Sequence, residues 1–358
     1  AMASLIEAGY LTIVRGGAEV GQFLTNHEAV AEIHVTGSDK THDAIVFGTG
    51  PEGEARRAAD TPLLDKPMTC ELGSVSPVLV VPGRWSDAEI TYQAEHVATM
   101  LANNAGFNCL TPRVIVTWAG WEQREQFLAA LHEILEAIPT RDAYYPGARD
   151  RWQSFIDQHP NAVQIGEATA SKLPWTVVED VNPAELGDIC LNVEAFCSLT
   201  SVTALEAADE EAFVKAAVDF CNDVVWGTLS CTVLACDDSM ADPKVGPAVE
   251  QAVADLRYGS IGVNLWHAMS FAFGTTTWGA YPGHARNDIQ SGSGVVGNAF
   301  MFDRPQKSVV RGPFTAKPKP AWFATNAGAA KLMPKMLAFE AKPSWAKVPG
   351  LILASLKG

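Results

Sequence analysis

The sequence predicts an α/β fold built on a parallel sheet, and three observations carry that prediction. Short apolar runs bounded by glycine and proline alternate with segments whose apolar residues recur at a helical period. The runs at 76–81 and 113–118 flank a helix that opens on a capping box, Ser86 with Glu89. A strand, a helix and a strand of these lengths suit a right-handed parallel crossover, and the same rhythm continues to Asn264.

Taken in order, residues 10–14 (Tyr-Leu-Thr-Ile-Val) read as a strand. Gly16, Gly17 and Gly21 then turn into a short helix reaching about Asn26, and residues 32–36 read as the next strand, closed by Gly37-Ser38. Strand, glycine turn, helix and strand make one parallel unit of a nucleotide-binding layer, where glycines let phosphate or ribose approach the backbone. These glycines do not match GxGxxG, so a plain loop is the alternative. Residues 48–60 are polar and turn-rich and read as an exposed loop that separates this layer from the stretch around Glu71.

Beyond the first crossover strand, Ile90, Ala94, Val97, Ala98 and Leu101 share one helix face and carry the helix to about Asn104. Residues 121–138 form another helix, with Phe127, Leu131, Ile134, Leu135 and Ile138 on one side. Residues 141–157 mix aromatics with charges and read as an irregular surface segment. Strands are expected at 175–178, 199–205, 229–235 and 258–264, and helices at 209–223 and 249–256. Residues 192–196 (Asn-Val-Glu-Ala-Phe) read as a loop, and residues 329–339 as an amphipathic surface helix or part of a subunit contact.

A chain of 358 residues is too long for one ordinary core and implies two or three domains. Its net charge of -15 disfavours nucleic acid or anionic membrane as a partner. Seven scattered cysteines without a CxxC pair argue for reduced thiols in a cytoplasmic setting. No secretory signal opens the chain, and the longest uncharged stretch, starting at Tyr258, is too rich in Gly, Thr, Asn, His and Pro for a membrane span. The histidines show no metal-ligand spacing, so no metal is expected.

Two residues, Glu71 and Cys109, stand out as a candidate catalytic pair. In a parallel crossover both strands start from one sheet edge, with Glu71 just before the first and Cys109 just before the second. A carboxylate there can reach a thiol through a water, an arrangement suited to forming a covalent thio-adduct and hydrolysing it. A free cysteine with a pKa of about 8.5 is only a few per cent thiolate at pH 7. A preceding helix C-terminus disfavours the thiolate further, so activation must come from elsewhere in the site or from a cofactor. The same residues also read as a buried loop cysteine and a solvated glutamate.

Several short motifs in register resemble the aldehyde dehydrogenase superfamily. They are Val35-Thr36-Gly37-Ser38, Glu71-Leu72-Gly73 followed by Ser76-Pro77, Gly106-Phe107-Asn108-Cys109, Glu194-Ala195-Phe196 and residues 259–264 (Gly-Ser-Ile-Gly-Val-Asn). The match runs from about residue 5 to about residue 265, and residues 288–294 and 307–314 look like a divergent bacterial branch. The resemblance implies an aldehyde dehydrogenase-like fold: a partial Rossmann-like nucleotide-binding domain over 1–70, a catalytic thiol domain over 71–265, and a C-terminal segment over 266–358 making interdomain or oligomer contacts.

It also implies oxidation of a small-molecule aldehyde to a carboxylic acid with NAD or NADP. Cys109 would form the thiohemiacetal and thioester and Glu71 would activate water. Gly37 and Ser38 would meet the pyrophosphate, Glu194 the nicotinamide ribose, Phe196 that ribose or ring, and Leu72 the carboxamide. A homo-oligomer is implied as well. Two departures stand beside these matches: His42 and Ser74 occupy positions where the family often has glycine. The chain also begins after the family's usual start, without the asparagine that completes the oxyanion hole, a donor worth about 2.7–4 kcal/mol of barrier. A non-catalytic truncated remnant and a thiol hydrolase or acylating variant therefore remain as alternatives.

Overall fold

A computed structural model describes residues 2–356. The strands are β1 (Ile33–Thr36), β2 (Met68–Glu71), β3 (Ser76–Val80), β4 (Pro112–Trp118), β5 (Val163–Ile165) and β6 (Trp175–Val178), then β7 (Leu199–Leu205), β8 (Ser230–Leu234), β9 (Ser260–Val263), β10 (Gly292–Ser293) and β11 (Ser308–Arg311). They form two sheets: a small one ordered β1-β2-β10 and an eight-stranded one ordered β11-β9-β8-β3-β4-β7-β6-β5. The large sheet is parallel except where β5 pairs antiparallel with β6 at one edge.

The apolar runs become strands because this sheet is covered on both faces, so every residue of β3 is buried. Alternate residues serve opposite cores. Val78, Val80, Ile115, Val177 and Val202 pack with Leu101, Phe127 and Leu131 of the helices Asp87–Ala102 and Arg124–Ala137. Leu79, Val114, Val116 and Val178 face the other way, toward Phe213 and Val249 of the helices Glu210–Asp223 and Val245–Asp255. The expected crossover is present: β3 and β4 are parallel, joined by Asp87–Ala102, whose capping box has both Ser86 N–H on Glu89 (2.7 Å) and Glu89 N–H on Ser86.

Several expectations are corrected. Residues 10–14 form no strand; Tyr10 and Ile13 are 85% and 70% exposed, and with no neighbouring strand their β propensity finds no ladder. The stretch 48–60 is mostly the helix Gly50–Ala58. It has no apolar stripe to announce it and relies instead on Pro51 and Glu52 in its first turn, Arg56 and Arg57 in its last, and the Glu52–Arg56 pair at 3.2 Å. The segment 141–157 contains the helix Ala148–Gln158, entered through Gly147 at φ 71° and anchored by buried Ala148 and Phe155.

Residues beyond 266 supply β10 to the small sheet and β11 to the edge of the large one. Glu71 is itself the last residue of β2, a strand too short to show alternation in sequence, and residues 72–75 carry the chain across to β3. Among the described residues, no helix is long and apolar enough to cross a membrane.

Candidate active site

Parallel pairing of β1 with β2 sets Thr36 opposite Glu71, and the Gly37 N–H donates to the Glu71 carbonyl at 3.1 Å. The turn after β1 is thereby tied to the end of β2. Ser38 follows as the N-cap of the helix Asp39–Val46, its Oγ accepting from the Thr41 N–H at 3.1 Å. Gly37 and Ser38 therefore lie at a helix N-terminus adjoining Glu71, where backbone N–H groups favour an anion.

Cys109 lies in the turn that leads into β4 and is half-buried, whereas the other six cysteines are buried. Burial first, and then the carboxylates of Glu194 and Glu71, push its thiol well above the ordinary range; Arg113 pulls the other way. Both acids named from the sequence thus act on this one sulfur. Among the described residues no acceptor elsewhere in the chain takes the Cys109 N–H, and it faces its own sulfur. It remains available to donate.

Glu71 is 9% exposed. Its carboxyl is raised by burial, and a hydrogen bond from the Trp278 indole N–H opposes the rise, with help from His34 and Thr36. Glu194 is pushed up to about 7, chiefly by burial, while Arg113 and the Ser74 N–H draw it down and Asp39 draws it up. One oxygen of Glu194 lies against Gly73, where a Cβ would sit 1.9 Å from it. The other is buried without a hydrogen-bond partner. A buried carboxylate oxygen left open in this way is a place for a ligand's hydroxyl to donate.

Phe196, at φ 43°, belongs to an aromatic group with Phe107 and Tyr145, their ring centroids 6.2 and 4.8 Å from its own. Phe107 is two residues from Cys109, so this group adjoins the thiol turn. Leu72 is not in that group: it is 1% exposed and packs with Cys70 and Ile289 under the small sheet, its N–H on the Ser291 carbonyl at 2.9 Å. Ser74 is fully buried and gives Glu194 its backbone N–H, while His42 is buried beside Asp43 at 3.0 Å.

Sequence reasoning missed the residues that hold this arrangement. Arg113, 2% exposed, donates to the carbonyls of Cys197 (2.7 Å), Leu199 (3.1 Å), Gly106 (2.6 Å) and Asn108 (3.4 Å), clamping the Cys109 turn to the stretch after Glu194. On the other side, Trp266 and His267 each donate to the Leu110 carbonyl at 2.9 Å. His267, held down to about 3 by burial, is neutral; its Nε2 carries the proton and its Nδ1 accepts from Thr232 at 2.9 Å. Arg151 reaches the Ala195 and Phe196 carbonyls at 3.3 Å from the helix Ala148–Gln158. For Arg113 a signal existed, namely a cation opening an otherwise apolar strand.

A thiol turn, two carboxylates of raised pKa and a helix N-terminus lie in one region, and comparison with known proteins shows which fold carries them. Residues 2–149 match the aldehyde dehydrogenase family. The chain has the aldehyde dehydrogenase fold. It is similar to an oxidoreductase from Marinobacter aquaeolei, with 20% identity and a TM-score of 0.59 over 79% of this chain and 53% of that one. It is also similar to an NADP-dependent glyceraldehyde-3-phosphate dehydrogenase from Bacillus halodurans C-125 complexed with NADP, at 16% identity and TM-score 0.59 over 79% and 52%. A betaine aldehyde dehydrogenase from Staphylococcus aureus in complex with NAD+ gives 19% identity and TM-score 0.57 over 79% and 51%. The chain thus spans about half the length of the aldehyde dehydrogenase-fold structures it resembles. No curated protein sequence matches it.

Proposed function

We propose that this chain carries the thiol half of an aldehyde dehydrogenase, oxidising a small-molecule aldehyde to a carboxylic acid with NAD or NADP. The observation that carries the reading is that Glu71, tied to the Gly37 turn, and Glu194, lying against Gly73, are brought to the same stretch of chain, with both acids raising the Cys109 thiol. The residues fit a nicotinamide cofactor. Glu194 offers its unpartnered oxygen to the ribose hydroxyls, Phe196 flanks the ribose or ring, Gly37 and Ser38 offer a helix N-terminus to the pyrophosphate, and Leu72 backs the site from the small core. When bound, the nicotinamide supplies the hydride acceptor.

The chain's own groups do the rest. Glu71, with its carboxyl raised by burial, takes the thiol proton through water, and the freed sulfur bonds to the aldehyde carbon. The Cys109 N–H donates to the oxyanion of this thiohemiacetal. Glu71 passes the thiol's proton on to solvent and is a carboxylate again. Once the carbon is a thioester, Glu71 takes a proton from water, the hydroxide adds, and the carbon–sulfur bond breaks to release the acid and the Cys109 thiolate. Trp278 holds Glu71 between these tasks.

The seven free cysteines support a reducing, cytoplasmic setting, and exposed Leu337, Trp345 and Leu353 support self-association. The strong upward push on Cys109 favours a second reading, in which the sulfur stays protonated and nothing is turned over. Exposing the protein to an aldehyde-like electrophile while following NAD(P)H separates the readings. Labelling of Cys109 with hydride transfer supports the first, labelling without it indicates a thiol hydrolase or acylating variant, and no selective labelling leaves the non-catalytic one.

A further inference from the structure

Away from the Cys109 turn, two helix ends bring a nitrogen, an oxygen and a sulfur ligand together. His159 closes the helix Ala148–Gln158, Asp188 is the N-cap of the short helix Ile189–Asn192, and Cys190 is that helix's second residue. His159 Nε2 lies 3.1 Å from Asp188 Oδ1, and the three side-chain ligand atoms all lie within 4.8 Å of one another. Asp188 and Cys190 are 5% and 2% exposed. His159 is half-buried and lines a cavity of about 340 Å³ together with Pro160, Asn161 and Glu179.

We propose that His159, Asp188 and Cys190 form a binding site for a divalent transition metal of the zinc class, with the fourth position left to water or a ligand. The donor set decides the class: imidazole and thiolate suit zinc and its neighbours, whereas magnesium and calcium take oxygen. The geometry is compatible. Bonds of about 2.0–2.1 Å to nitrogen and oxygen and about 2.3 Å to sulfur put the edges of a tetrahedron at roughly 3.3–3.6 Å. The His159–Asp188 separation of 3.1 Å is already near such an edge, and the Cys190 sulfur lies within 4.8 Å of both.

Charge also balances. One carboxylate and one thiolate cancel a dication, which a buried cation requires. The Cys190 N–H donates to Asp188 Oδ1 at 2.8 Å and orients the carboxylate as an outer partner. On binding, the Cys190 S–H bond breaks, its proton is released to water, and a metal–sulfur bond forms without any change of oxidation state. The His159 Nε2 lone pair is donated at the same time, with the ring proton on Nδ1. The site is independent of the aldehyde chemistry at Cys109.

Titration of the full chain with Co²⁺ tests the proposal. The expected result is one equivalent bound, with a thiolate-to-cobalt charge-transfer band in the near ultraviolet and intense visible bands of tetrahedral cobalt, all displaced by Zn²⁺. Cys190→Ser removes the charge-transfer band. His159→Gln, at a position that reaches the surface, weakens binding by at least the roughly 10–100-fold that loss of an outer partner costs. Cys109→Ser leaves the spectrum unchanged, and circular dichroism confirms that each variant is folded. No charge-transfer band in the parent chain, or one that survives in both folded variants, overturns the site.

Discussion

Replacing Glu194 with glutamine is predicted to shift stability in the variant's favour, relative to the parent, as pH rises from 5 to 8. The Glu194 carboxyl is pushed from its ordinary 4.5 up to about 7, mainly by burial. Because the folded pKa exceeds the unfolded one, the folded chain retains a proton that the unfolded chain has lost between these two values. Glu194 therefore costs nothing below pH 4.5 and its full penalty above pH 7. At about 1.4 kcal/mol per pKa unit, that penalty is about 3 kcal/mol at pH 8 and about 1 kcal/mol at pH 5.

Glutamine keeps the shape and never ionises, so the difference between the variant and the parent grows by about 2 kcal/mol between pH 5 and pH 8. The amide NH2 would meet no acceptor at the unpartnered oxygen's position, which adds a cost. That cost does not depend on pH, so the pH dependence is the readout. Urea unfolding at the two pH values, with the denaturant slope held as a check, measures it. A difference that is flat or shrinks as pH rises would refute the burial argument for Glu194.

Arg113→Met removes the donor to four backbone carbonyls, and urea unfolding should show a loss of about 3–5 kcal/mol. The same change should raise the Glu194 titration further, as read by carboxylate infrared bands, since Arg113 draws it down more than the Ser74 N–H or Arg151 does. Trp278→Phe leaves a buried Glu71 oxygen unmet, costing about 1–3 kcal/mol, and moves the base limb of the turnover pH profile upward. Gly73→Ala places a Cβ 1.9 Å from the Glu194 carboxylate and displaces it. With a charged hydrogen bond worth about 1.5–3 kcal/mol, NADH affinity by fluorescence titration should fall by roughly 10–100-fold.

The large sheet was legible because its strands are buried on both faces and so are written as unbroken apolar runs, and the β3–β4 crossover was legible through the Ser86–Glu89 cap. The helix Gly50–Ala58 was not, since it buries little beyond Gly53 and shows no apolar stripe. Neither were β2 and β10, strands of four and two residues whose pairing is purely tertiary. The Cys109–Glu71 pair was expected from the topology of one crossover, whereas Glu71 closes β2 of the small sheet and residues 72–75 separate it from β3. Trp278, 207 positions from Glu71, and the His159–Asp188 pair, 29 apart, have no spacing that a helix or strand period would flag.

Everything proposed for catalysis depends on one sulfur lying in the field of two acids. The direct measurement is the pH dependence of Cys109 alkylation by iodoacetamide, followed by peptide mass mapping, which the burial of the other six thiols makes selective. The parent chain should titrate well above an ordinary thiol, and Glu71→Gln and Glu194→Gln should each bring that titration down, because each removes a charge that raises it. An ordinary thiol titration in the parent, or one that stays the same across the three proteins, would contradict the account.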